Sequence, residues 1–139
     1  MALIEIGLHT IDTYIVREQD TAKKFDSGAM DILATPMLIC NAERSCKNLV
    51  QPLMEEGMGT VGTLVNMRHM APTPVGMSYT CECEVTAVEG RMIRFRVQLR
   101  DAADIIGEGI HERFIVNEET FTKKANRKLE TAAAHENKG

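Results

Sequence analysis

The apolar positions of this chain change period once. Between residues 36 and 54 they recur at helical spacing. Placed at about 100° per residue, Leu38, Ile39, Ala42, Cys46, Leu49, Val50 and Leu53 share one sector, while Asn41, Arg44, Lys47, Asn48 and Gln51 fall outside it. Thr35-Pro36 opens the stretch with a residue able to cap and one suited to the first turn, and Gly57 and Gly59 close it. From Met77 the period is two: Met77, Tyr79, Cys81, Cys83, Val85 and Ala87 alternate with Ser78, Thr80, Glu82, Glu84 and Thr86. Ile93, Phe95, Val97 and Leu99 repeat the alternation, and Glu89-Gly90 between the two runs predicts a tight antiparallel hairpin. Residues 60–70, 105–116 and 8–16 are further strands, the second weakened or bulged by Gly107 and Gly109.

Residues 18–33 mix charges with Ser27-Gly28 and keep no period, which predicts a mobile connection or lid. The tail from Glu118 reads as a short helix through Leu129, with 131–139 frayed. An α+β fold follows, a sheet packed on one side by one apolar helix, and residues 1–139 form a single domain.

Composition narrows the function. Sixteen Lys+Arg against 20 Asp+Glu give a formal charge of -4, and no basic cluster stands out to bind a phosphate backbone, so nucleic acid is not the expected partner. No stretch approaches the roughly 18 consecutive apolar residues of a membrane span, and the first nine residues lack the basic start of a secretory signal. A cytoplasmic protein is expected, with Cys40, Cys46, Cys81 and Cys83 as reduced core thiols rather than metal ligands.

Three polar residues sit where the pattern asks for apolar ones. Glu43 lies at the edge of the apolar sector of the helix, the only carboxylate in that arc. Its plain reading is a boundary residue paired with Lys47 one turn on; its functional reading is a carboxylate with a tuned pKa. Thr35 stands at the helix start, in line with the same sector, either as N-cap or beside backbone N–H groups that favour a developing negative charge. His69 ends the strand face of Val61, Thr63, Val65 and Met67, just before the stiff loop Ala71-Pro72-Thr73-Pro74. His111 and Arg113 share a face with Gly107 and Gly109, where missing side chains leave space for a ligand or another backbone; ion pairing is the plain reading of the two.

The run from Gly62 through His69 to Gly76, together with Gly107-Glu108-Gly109-Ile110-His111-Glu112-Arg113, resembles the fluoroacetyl-CoA thioesterase family, with similarity from about Thr35 to Lys124. The resemblance implies a hotdog fold, a long central helix wrapped by an antiparallel sheet of about five strands, working as a homodimer on acyl-CoA. It implies Thr35, Glu43 and His69 as catalytic residues and Gly62 beside the thioester; Arg113 is taken as substrate-binding. A thioester needs a nucleophile, a base and donors for the oxyanion, and needs neither metal nor organic cofactor. Thr35 and Glu43 stand eight residues apart, roughly 12 Å along a helix axis, so His69 bridges both only if their side chains extend inward. The stretch 25–33, with Phe25, Met30, Ile32 and Leu33, has no clear correspondence to the aromatic lid of the family member specialised for the fluorinated substrate, which leaves a short or small acyl-CoA as the expected substrate. A hydratase or dehydratase on the same fold, and a non-catalytic acyl-CoA-binding module, are the alternatives.

Overall fold

The structure, a computed structural model, describes residues 3–138, with side chains described as far as residue 133. In chain order the main elements are β1 (His9–Ile15), α1 (Thr35–Val50), β2 (Met58–His69), β3 (Ser78–Glu89), β4 (Met92–Asp101), β5 (Ile105–Asn117) and α2 (Glu118–Lys138). The strands form one antiparallel sheet in the order β1-β3-β4-β5-β2. One face of that sheet packs on α1.

The alternating runs land as their period requires. Tyr79, Cys81, Cys83 and Val85 of β3 and Ile93, Phe95, Val97 and Leu99 of β4 are all at most 2% exposed, and they meet Leu38, Ala42, Cys46 and Val50 of α1. Burying a large apolar side chain stabilises by roughly 1.5–3 kcal/mol, so these two central strands and the helix anchor the fold. Gly90 takes a φ of +60° in the turn between β3 and β4, a conformation that costs glycine nothing. Cys46, Cys81 and Cys83 are buried free thiols, and burial, reinforced by the neighbouring Cys83, pushes the Cys81 thiol up to about 12.

The buried face of α1 is rotated from the one that hydrophobicity alone outlines. Asn41 and Ser45 are 2% and 0% exposed, whereas Ile39 and Leu49 are only partly covered. Two tyrosines explain the shift. Tyr14 of β1 bonds the Ser45 hydroxyl at 2.6 Å and donates to the Asn41 carbonyl at 3.3 Å, while the Asn41 amide donates to the Tyr79 hydroxyl at 2.5 Å. A satisfied polar network can therefore be buried where an unsatisfied one could not. The helix also ends at Val50, earlier than residue 54, because Pro52 turns the next residues into the 3-10 turn Gln51–Leu53.

Three further features complete the fold. Residues 18–33 close on themselves through the bond from the Ala22 amide to the Ile32 carbonyl at 2.8 Å, and both ends are tied to the body, where the Ala34 amide donates to the Asp20 carbonyl and that of Leu33 to the Thr73 carbonyl, each at 2.9 Å. Only the middle, with Phe25 and Met30, stands clear. The helix expected to stop near Leu129 and fray over 131–139 continues to Lys138, and Gly139 lies outside the described residues. The room left by Gly107 and Gly109 is filled by the protein itself. A Cβ on Gly107 would lie 3.2 Å from both Leu38 methyls, and one on Gly109 would fall on the Asn66 carbonyl oxygen and 2.6 Å from the Met67 Cα. β2 thus closes on β5 backbone to backbone.

Candidate active site

Thr35 is not the cap. Ala34, extended at φ -70° and ψ 140°, takes the N-cap position with no side-chain bond, and Pro36 follows Thr35 within the first turn. The amides of Met37 and Leu38 both turn back to the Ala34 carbonyl at 3.0 Å and Pro36 has none, so the helix start offers its surroundings the amide and the hydroxyl of Thr35. That hydroxyl meets Nδ1 of His69 at 2.8 Å. His69 is the last residue of β2 and lies opposite Gly107 of β5, on the sheet face that α1 covers. Its Nε2 is buried and has no hydrogen-bond partner among the described residues. With Ile32, Met70, Ala71 and Pro72 the ring lines a cavity of about 230 Å³. Burial lowers the pKa of His69 below the usual 6.5, weakly opposed by the Ala71 backbone, so the ring is neutral at pH 7 and able to take a proton.

Glu43 keeps different company. Its Oε2 lies 3.4 Å from Nη1 of Arg113, and the expected pair with Lys47 is not formed. The Glu43 side chain is 42% exposed and that of Arg113 is 6% exposed, so the carboxylate reaches solvent while its counter-ion stays buried. Arg113 donates from Nε to the Thr60 hydroxyl at 2.7 Å, from Nη2 to the Thr60 carbonyl at 2.9 Å and from Nη1 to Nε2 of His111 at 3.2 Å. Four of the five N–H donors of the guanidinium are thus directed at the protein. Gly62 explains why the carboxylate fits: a Cβ there would sit 2.7 Å from Glu43 Oε2 and 3.2 Å from His111 Cε1. A cavity of about 260 Å³ beside the pair is lined by Cys40, Glu43, Arg44, Lys47 and Arg113.

Two centres result. Thr35 and His69 form one, Glu43, Gly62, Arg113 and His111 the other, and no hydrogen bond joins them among the described residues. Sequence reasoning named each of these residues; it missed Thr60, whose bond to Arg113 spans 53 positions and leaves no local trace.

Residues 16–119 match the family described as fluoroacetyl-CoA-specific thioesterase. The chain belongs to that family. All five predicted site residues of this thioesterase lie within the matched span. It is 36% identical over 98 residues to the fluoroacetyl-CoA thioesterase of Streptantibioticus cattleyicolor, an alignment covering 70% of each protein. A solved structure of a fluoroacetyl-CoA thioesterase superposes with a TM-score of 0.87 at 28% identity, covering 91% of this chain and 98% of the other. A Thermus thermophilus protein described as a thioesterase superfamily member shares the fold, with a TM-score of 0.88 at 24% identity over 96% of this chain and 99% of that one. The fold is the hotdog fold, and the protein is a thioester hydrolase. No described helix is long and apolar enough to cross a membrane.

Proposed function

We propose that this thioesterase hydrolyses a short acyl-CoA to the free acid and CoA in the cytoplasm, as a homodimer whose site combines the Thr35–His69 centre of one protomer with the Glu43 centre of its partner. The 2.8 Å bond between Thr35 and His69 carries this reading, because it places a neutral base and a hydroxyl together at a small cavity. His69 takes a proton from the water that Thr35 positions, as that water attacks, and returns it to the departing CoA thiolate. Glu43, held by Arg113, either assists the attack of that water or is itself the nucleophile, forming a mixed anhydride as the thiolate leaves, and rapid quench with mass analysis of the Glu43 peptide separates the two routes. The chemistry needs no metal or organic cofactor.

The separation of the two centres supports the dimer. With the histidine committed to Thr35 and Glu43 two helical turns along α1, one protomer does not bring carboxylate and imidazole to the same carbon. β2 is an edge strand, and Val65, on its helix-facing side opposite His111, is 43% exposed. A long edge with apolar residues is a template for a second copy. The relative described as a fluoroacetyl-CoA thioesterase supports a short acyl group. A lyase would want the carboxylate beside the histidine, whereas Glu43 sits on Arg113.

The test is thiol release from a panel of acyl-CoAs of increasing length, corrected for the protein's own cysteines. Rapid release from acetyl- or fluoroacetyl-CoA, falling about 10²- to 10⁴-fold in His69→Ala, supports the reading. Release from none of the panel overturns it.

A further inference from the structure

His111 is 1% exposed, touches neither of the two cavities at the site, and has no part in the proton transfers above. Its two ring nitrogens are nevertheless fully committed. Nδ1 lies 2.8 Å from the Leu64 carbonyl oxygen, which can only accept, so Nδ1 carries the hydrogen. Nε2 lies 3.2 Å from Arg113 Nη1, which can only donate, so Nε2 offers its lone pair. Both contacts demand the same neutral tautomer. A protonated ring would set Nε2–H against Arg113.

We infer that His111 is a positioning residue for hydrolysis: as the Nδ1–H tautomer it fixes Arg113 Nη1, and through it sets where the Glu43 carboxylate stands. The inference rests on the proposed role of Glu43. The register of the sheet gives it a physical origin. The ladder between β2 and β5 slips between Gly62 and Leu64, leaving Thr63 as an extra residue. Immediately past the slip, the Leu64 carbonyl meets the histidine. Gly62, before the slip, leaves the space into which Glu43 and His111 both press. Arg113 Nη1 has two hydrogens, one directed at His111 and one at Glu43, while Nε and Nη2 are held by Thr60. Without an acceptor at Nε2 the guanidinium keeps its Thr60 bonds and can still pivot about them, and the 3.4 Å contact to the half-exposed carboxylate is the one that gives. Phe95 stacks on the imidazole at 6.2 Å and 25°, so a ring of similar shape without nitrogens can occupy the same place.

The test uses the full chain and two variants. His111→Phe keeps the aromatic shape and removes both nitrogens; His111→Gln restores an acceptor near Nε2. We expect His111→Phe to lower kcat about 10²-fold with KM changed less than threefold, and His111→Gln to recover kcat to within about tenfold of the parent. Nitrogen NMR of the parent protein should show His111 with Nδ1 protonated and Nε2 bare at neutral pH. An Nε2–H tautomer, a His111→Phe enzyme with parental kcat, or two variants equally impaired would each overturn the inference. Failure of the hydrolase reading is seen elsewhere, in a parent protein that releases no thiol although its His111 keeps the Nδ1–H tautomer; the catalytic meaning of the relay then falls with that reading.

Discussion

The two centres on α1 are built on opposite principles. At the start of the helix, Thr35 and His69 share a single hydrogen bond, and the outer nitrogen of the ring has no partner among the described residues. Two turns further on, Arg113 is buried and spends donors on Thr60, His111 and Glu43. An unsatisfied buried polar atom is a standing cost of roughly 1–3 kcal/mol that a purely structural site would have removed. On the function proposed above, the sparse centre is where a substrate group would complete the bonding, and the dense one is where a charge would be held in place before substrate arrives.

Substitutions should separate the two by their effects on rate and on stability. The largest loss of activity is expected for His69→Ala, about 10³-fold in kcat/KM, with Thr35→Val close behind; because one shared bond is removed, stability should fall by only about 1 kcal/mol in a denaturant titration. Equal losses of rate and stability would erase the contrast. Arg113→Met should do the reverse in proportion, unfolding the protein by about 1–3 kcal/mol more easily as Thr60 and His111 lose their donor, and lowering kcat as well. Gly62→Ala comes next. Its Cβ would stand 2.7 Å from Glu43 Oε2 and 3.2 Å from His111 Cε1, so the flexible carboxylate swings aside while the buried ring shifts slightly, and kcat should drop about 10-fold with only a small fall in melting temperature.

The smallest effect is in the pH dependence. Burial lowers the pKa of both His69 and His111 below 6.5, so in the folded protein each ring binds its proton later than in the unfolded chain as pH falls. The unfolded state then holds more protons below pH 6.5, and stability, full above that value, is lost as pH falls from it through the folded pKa values. The acid limb of kcat/KM should likewise lie below pH 6.5, since the working form of His69 is neutral. Substituting His111 by Phe should flatten part of the stability profile; a limb of activity above pH 6.5 would contradict the burial of His69.

Much of this was legible in the chain. Period-two alternation located β3 and β4 and their inward faces, because both strands are covered by α1 of the same chain and hydrophobicity tracks that burial. β2 was placed to within two residues of its bounds although Leu64 and Val65 stay 41% and 43% exposed, whereas its slip at Thr63, which sets the faces of the residues before and after it, left no local mark. The buried face of α1 was read one step off because Asn41 and Ser45 owe their burial to Tyr14 and Tyr79, 27 to 38 positions away. Thr35, Glu43 and His69 stood out as polar residues in apolar company, yet their pairing was not visible. Glu43 had Lys47 within reach on its own helix and an arginine 70 positions away, and the distant partner was already fixed by two bonds to Thr60.

The position of β2 at the end of the strand order has a consequence for how the enzyme would behave in dilute solution. On the proposed reading each site is completed by mass action, so activity per chain is a property of concentration as well as of sequence. Halving the protein well below the dimer dissociation constant would cut the total rate about fourfold. Substrate bound across the two protomers would hold them together and make the enzyme more dimeric while it works.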